Sequence, residues 1–250
     1  MSNKTHDICW DRRRLSSPHT QHDKGRRVQK MFDAIAPTYS LINSLASMGR
    51  DGYWRREMAR LAEVKPDDVL LDIACGTGDV AWTFASSAVH PARIVGLDFS
   101  LPMLQGAVGR QMNGSEFYQA DALELPIADN SVSIVSCAFG IRNFQDLEAG
   151  LGQMYRVLRS GGRAVILEFC VPRRPVFRRL YLAYFNRLMP IAATMISRDR
   201  TGAYRYLPHS VLSFQGPKKV TSLLKAAGFS HVSVHRLTWG IVAIYVARKT

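Results

Sequence analysis

Asp72, Gly76-Thr77-Gly78, Asp98 and Asp121-Ala122 each stand at or near the end of an apolar run, and together they could hold a ligand. Val69 to Ile73 reads as a short buried strand of the kind found in the middle of a parallel sheet. Gly76 and Gly78 let the chain turn tightly and approach a ligand with no Cβ in the way. Asp79 is the expected N-cap of the helix that follows. Two ligand chemistries suit this turn. Gly76-x-Gly78-x-x-Ala81 fits the pattern that seats a dinucleotide pyrophosphate on a helix N-terminus. S-adenosyl-L-methionine, a cation at sulfur with an amino-acid end, favours an acid close by, and Asp72 supplies one. A carboxylate there is a poor neighbour for pyrophosphate. Ile94 to Asp98 is a second apolar strand, and Asp98 can accept both ribose hydroxyls, which either ligand needs. Phe117 to Ala120 is the third strand, and Asp121-Ala122 at its end suits an adenine amino group.

Taken together these positions resemble the cofactor site of class I methyltransferases, which implies a Rossmann-like, doubly wound α/β fold. The remaining elements agree. Arg93 to Asp98 and Val132 to Ala138 read as strands, with a helix from Leu101 to Met112 started by Ser100-Leu-Pro102. Asp146 to Leu158 reads as a helix closing on Ser160-Gly161-Gly162, and Arg163 to Phe169 as strand five. Pro217 to Ala227 is the last core helix, capped by Gly228. His231–Arg236 and Gly240–Ala247 form a terminal β pair, completing a seven-stranded α/β sheet.

Composition bounds the rest. The 250 residues are 47% hydrophobic, enough for one large core and a small appendage. No run of about 18 uncharged apolar residues spans a bilayer. The N-terminus lacks the apolar core of a signal peptide. Cys9, Cys75, Cys137 and Cys170 form no C-x-x-C pair, and His19-x-x-His22 alone makes no site, so no metal is expected and the thiols read as reduced and cytoplasmic. The net charge of +13 is uneven. Residues 61–172 hold 7 Lys/Arg against 13 Asp/Glu, whereas 173–206 hold 8 against 1. An acidic centre suited to a cation is thus flanked by basic segments that could face nucleic acid or an anionic membrane. No aromatic-interleaved basic stripe supports nucleic acid as the partner.

Residues 1–27, with Arg12-Arg13-Arg14 and Lys24-Gly-Arg26-Arg27, read as a polar, mobile tail, and 28–250 as one domain. Residues 28–63 are expected to form a helical lid over the cofactor site. Residues 173–212 interrupt the alternation as a basic insert. Within it Val176 to Met189 reads as an amphipathic helix, with Phe177, Leu180, Tyr181, Tyr184, Phe185 and Leu188 on one face and Arg173, Arg174, Arg178, Arg179 and Arg187 on the other. An ordinary helix packed on its own domain is the competing reading.

Five stretches carry a closer resemblance: Leu71-Asp-Ile-Ala-Cys-Gly-Thr-Gly-Asp79, Phe139-Gly-Ile-Arg-Asn143, Met154-Tyr-Arg-Val-Leu158, Gly161-Gly-Arg163 with Glu168-Phe169, and Tyr204-Arg-Tyr-Leu207. From about Val28 to Lys249 the chain resembles the UbiE/MenG/COQ5 family, the C-methyltransferases of menaquinone and ubiquinone synthesis. It departs from the family pattern at Ser40, Ile42, Asp51, Arg159-Ser160, Cys170, Ala138 and Ser210-Val-Leu-Ser-Phe214. The resemblance implies methyl transfer from S-adenosyl-L-methionine to a ring carbon of a polyprenylated quinol, demethylmenaquinol first and a ubiquinone-pathway benzoquinol or a soluble phenol as alternatives. It implies cofactor contacts from Asp72, Gly76, Thr77, Gly78, Asp98, Phe99, Asp121, Ala122 and Ala138.

Arg142 and Asn143 follow strand four, on the edge where open α/β sheets bind ligands. Arg142 would stabilise a developing phenolate and Asn143 orient the ring oxygen. Alternatively, Arg142 pairs with Asp146 or Glu168 and holds the loop. Tyr39 and Tyr204 are candidates for the substrate pocket or for core packing. Asp51, His209 and a water remain open as the general base. A polyprenyl substrate is met at a membrane, so the protein is expected to be cytoplasmic and peripherally bound to an anionic surface. A homodimer is compatible with the sequence, which is silent on assembly.

Overall fold

The computed structural model describes residues 10–184 and 202–250. Seven strands form one sheet in the order β3-β2-β1-β4-β5-β7-β6. These are β1 (Val69–Ile73), β2 (Arg93–Asp98), β3 (Ser115–Gln119), β4 (Val132–Ala138), β5 (Leu158–Phe169), β6 (His231–Leu237) and β7 (Val242–Arg248). The first five run parallel, while β7 pairs antiparallel with both β5 and β6. The strand order reverses between β1 and β4, so the carboxyl ends of these two strands flank a crevice where such sheets take ligands.

Side chains of β1 alternate between two cores, as a strand covered on both faces requires. Leu71 and Ile73 pack with Leu151, Met154, Leu223 and Leu224 from the helices Leu147–Val157 and Pro217–Ala226. Leu70 instead joins Trp54, Met58, Val80 and Phe84, from the helices Asp51–Leu61 and Asp79–Ala85. Gly96 exists because its neighbour on β3 leaves no room: a Cβ there would lie 2.4 Å from the Phe117 ring.

Residues 10–27 differ from the mobile tail expected, while 1–9 lie outside the described residues. Arg12–Leu15 is a short helix, and the next helix, Lys24–Ile35, starts before Val28. Trp10 is fully buried with its ring 4.4 Å from that of Tyr206. Leu15, Val28, Met31 and Ile35 complete a third, smaller core around it. The apolar residues Trp10 and Leu15 sit among so many charges that composition hid their burial. Tyr39–Ala46 and Asp51–Leu61 follow as helices.

Three local expectations also change. Gly78, with φ +76°, is the N-cap of Asp79–Ala85, so Asp79 lies one position inside the helix. Its carboxylate instead accepts from Arg55 at 3.2 Å and from Arg110. The helix after β2 ends at Val108, and β5 begins at Leu158, ahead of the glycines. The insert begins with a helix, Pro175–Ala183, and residues 185–201, including the rest of the expected amphipathic helix, lie outside the described residues.

Candidate active site

A cavity of about 680 Å³ opens at the carboxyl ends of β1 to β4. Its floor is built by Ile73, Ala74 and Gly76 from β1 and its turn, and by Leu97, Asp98 and Phe99 from β2. Gln119, Asp121 and Ala122 follow β3, and Ala138, Phe139 and Asn143 follow β4. Gly25, Gln29 and Phe32 of the helix Lys24–Ile35 line the remaining wall with Tyr39. That helix is tied down at the end of β2: Gln29 Nε2 donates to the Phe99 carbonyl at 2.7 Å, and Ser100 Oγ donates to Asp33 at 2.6 Å. Gln119 Nε2 donates to the same carbonyl at 2.9 Å, so the adenine-side loop is held from two directions.

Asp98 is the most constrained wall residue. Its Oδ2 accepts the Gly76 amide at 2.8 Å and its Oδ1 the Ser100 amide at 2.9 Å. Burial nonetheless pushes its carboxyl up to about 6. Each oxygen keeps a further lone pair for a ligand hydroxyl. Tyr39 packs across the turn, its ring edge 3.6 Å from where a Cβ on Gly76 would stand. Ser40 and Thr77 share a hydrogen bond of 3.2 Å, so the segment before β1 is coupled to the glycine turn.

Of the residues expected to touch cofactor, Gly76, Asp98, Phe99, Asp121, Ala122 and Ala138 line the cavity. Asp72, Thr77 and Gly78 do not; they form the turn and strand behind the wall. Asp72 is fully buried, its Oδ1 accepts from Ser136 at 2.6 Å, and its Oδ2 has no partner among the described residues. Burial raises its carboxyl to about 7, and the nearby Asp98 adds to the rise. Two buried acids, neither in an ion pair among the described residues, favour a sulfonium or ammonium nearby and disfavour a pyrophosphate. The residues present therefore fit S-adenosyl-L-methionine. Asp98 would take the ribose, Asp121 and Ala122 the adenine side, and the Asp72–Asp98 field the methionyl end.

The expected catalytic residues are rearranged more deeply. Arg142 is buried and does not line the cavity. Its Nη1 donates to Glu168 Oε1 at 2.8 Å and to the Phe139 carbonyl, and its guanidinium lies 5.6 Å from the Phe169 ring centre. Of the two partners weighed, Glu168 is the one met. That pair holds the guanidinium behind the cavity wall, and its buried Nε has no hydrogen-bond partner among the described residues. Asn143 does face the cavity, and both ends of its amide are oriented: Nδ2 donates to the Phe139 carbonyl at 3.2 Å, and Tyr206 Oη donates to Oδ1 at 3.1 Å. Tyr206 of Tyr204-Arg-Tyr-Leu207 thus reaches the site through Asn143, and the side chain of Tyr204 lies outside the described residues. Burial raises the Tyr206 hydroxyl above its ordinary range, keeping it a donor. Asp51 accepts from Ser47 at 2.9 Å and Arg55 at 2.8 Å and does not line the cavity.

Gln29, Phe32 and Gln119 were not found from the sequence. Only the helical lid expected over residues 28–63 pointed to the former two, and nothing marked Gln119. Among the described residues no group of His, Cys, Asp and Glu could hold a metal.

Known proteins place this geometry. A demethylmenaquinone methyltransferase of Thermus thermophilus is 46% identical over 88% of this chain and all of its own. The ubiquinone/menaquinone biosynthesis C-methyltransferase UbiE of Geotalea daltonii is 38% identical, covering 91% of this chain and 98% of that one. Among solved structures, a SAM-dependent methyltransferase of Thermotoga maritima superposes with a TM-score of 0.64 at 17% identity, covering 89% of this chain and 99% of that one. That likeness speaks for the fold alone. The model of the ubiE/COQ5 methyltransferase family matches residues 20–249, and with the cation-seeking cavity beneath that match, this chain belongs to the family.

Proposed function

We propose that this protein transfers a methyl group from S-adenosyl-L-methionine to a ring carbon of a polyprenylated hydroquinol, converting demethylmenaquinol to menaquinol. The observation that carries the reading is the pair of buried acids, Asp98 in the cavity wall and Asp72 behind it with one oxygen unpartnered, neither in an ion pair among the described residues. Relatives named for demethylmenaquinone methylation at 41% to 46% identity support the naphthoquinol over the benzoquinol.

The bound cofactor supplies an electrophilic methyl on a sulfonium. The chain's own work is placement. Loss of a phenolic proton pushes electron density onto the ring carbon that attacks, so the enzyme must hold that carbon in line and keep water out. Asn143, its amide fixed by Tyr206 and the Phe139 carbonyl, presents its remaining N–H to a ring oxygen. Tyr39, Phe32 and Phe139 provide an apolar surround for the ring. Arg142 acts through its ion pair with Glu168, keeping the Phe139–Asn143 loop in shape.

The coarser membrane statement is direct: no helix among the described residues is long and apolar enough to cross a membrane. The finer one belongs to this proposal. Each buried CH₂ of a prenyl tail contributes roughly 0.8 kcal/mol, so the substrate stays in a bilayer and a cytoplasmic enzyme meets it there as a peripheral protein, with no nucleic acid involved. The test is turnover by the purified protein of demethylmenaquinol and of a tail-less naphthoquinol, with the product weighed by mass spectrometry. A cofactor-binding protein that methylates neither, or prefers a soluble phenol, removes the quinol reading.

A further inference from the structure

The turn between β6 and β7 is held in a conformation its residues do not favour. Thr238 and Trp239 both have positive φ, 49° and 55°, a region that costs a β-branched or bulky side chain. Trp54 Nε1 donates to Thr238 Oγ1 at 2.7 Å and fixes the turn from inside. The outcome is an indole 67% exposed, stacked flat on Phe177 with ring centres 4.9 Å apart and planes 6° from parallel. Beside that pair the first helix of the insert exposes Val176 and Leu180, which lie one turn apart on one face. Arg173, Arg174, Arg178 and Arg179 precede and flank them along the same segment, all exposed and none paired with a carboxylate among the described residues.

The location of this patch is set by register. Phe169 at the end of β5 pairs with Val242, and Val242 pairs with Leu237, so residues 238–241 lie on the same sheet edge as the carboxyl ends of the parallel strands. That edge carries the cavity. From β4 to β6 is three strand spacings, roughly 14 Å. An exposed tryptophan on an apolar stripe with unpaired arginines is the chemistry of an anionic lipid interface, where the indole sits at headgroup level and the guanidiniums meet phosphate.

The geometry points to a lipid seat formed by Trp239, Phe177, Val176 and Leu180 within the arginines 173, 174, 178 and 179, which faces the cavity edge toward an anionic bilayer so that a membrane-held substrate is presented to the site. It deepens the quinol reading and rests on it for the identity of what is presented. The contact itself does not depend on that identity.

The experiment is flotation of the full chain with vesicles of phosphatidylcholine, alone or mixed with phosphatidylglycerol, comparing wild type with Trp239→Ala and with the double variant Arg178→Gln, Arg179→Gln. Wild type should float with the anionic vesicles and release as salt rises. Each lost arginine should weaken partitioning about fivefold. Trp239→Ala should weaken it on both salt arms, because the indole's contribution is not screened. Cofactor binding by calorimetry and turnover of the tail-less quinol should stay at wild-type values, while turnover of the long-tailed quinol in vesicles falls with partitioning. The proposal is overturned if wild type does not float, if both variants float like wild type, or if the variants instead lose an oligomer on size exclusion, which would make the patch a protein interface. Failure of wild type on either quinol, with flotation intact, would strike the substrate and leave the seat standing.

Discussion

Asp68 and Asp72 stand at opposite ends of β1, both fully buried, and the protein treats them in opposite ways. Asp68, at the amino edge of the sheet, accepts Arg163 at 2.7 Å and the Lys65 amide at 2.9 Å, and Arg159 approaches to 3.5 Å. Burial alone would push its carboxyl up, yet the Lys65 amide and Arg163 hold it below the ordinary value. Asp72, at the carboxyl edge, has Ser136 on one oxygen and no hydrogen-bond partner among the described residues on the other, and burial raises it to about 7. Asp98 beside it is raised to about 6. One edge is closed by the protein's own charges. The other is left incomplete, and the incomplete edge is the one that carries the cavity. A buried charge with its partner built in belongs to the fold, while one without a partner marks where a ligand supplies it.

Swapping the two edges' behaviour is the sharpest challenge to this contrast. Arg163→Ala removes the buried partner of Asp68, leaving it only the half-exposed Arg159 at 3.5 Å and the Lys65 amide, and should destabilise the fold by about 3 kcal/mol in chemical denaturation. Its cofactor affinity, measured where the variant is folded, should not change. Asp98→Asn should do the reverse: roughly 2 kcal/mol, about 30-fold, lost in calorimetric affinity for S-adenosyl-L-methionine, with the melting temperature unchanged or raised. Equal losses of stability in the two variants would erase the distinction between the edges.

The pH dependence separates the edges without mutation. Asp72 and Asp98 bind protons more tightly folded than unfolded, so their contribution to stability is fully present below about pH 4 and is lost as pH rises through about 6 and 7. Cofactor binding needs them ionised, so affinity should rise over the same window and level off above pH 7, by at most about tenfold per pH unit and per group. Asp68 runs the other way, adding stability above about pH 4 and losing it as pH falls below. Melting curves with and without cofactor from pH 5 to 8 should therefore diverge as pH rises; parallel curves would count against the ligand edge. The smallest expected effect is Tyr206→Phe, which frees one end of the Asn143 amide. Loss of about 1 kcal/mol should appear as a fall of roughly fivefold in kcat, with the KM for cofactor unchanged. A change in cofactor KM alone would move Asn143 to the cofactor side.

Arg142 and Trp10 show where reading the chain fell short, and for related reasons. Sequence offers Arg142 a choice of Asp146, Glu168 or a ligand, and only the neighbouring strand, which brings in Glu168 from 26 residues on, selects the partner. Trp10 reads as one aromatic in a charged tail until Tyr206, far along the chain, covers it. In Tyr204-Arg-Tyr-Leu207 the motif is visible, yet the meeting of Tyr206 with Asn143 depends on the rotation of a helix that the sequence does not state.

What the chain determined by itself is everything short-range. Apolar runs of five to seven residues make strands, glycines with positive φ at Gly76 and Gly78 make the turn, and acids following strands one to three bias the site toward a cation. Those depend on neighbours within a few positions. Tertiary structure decided which acids stay unpaired, which arginine is committed to a carboxylate, and that the β6–β7 turn shares an edge with the cavity. Burial and pairing are properties of distance in space, and parallel crossovers bring together groups too far apart in sequence for spacing to reveal them.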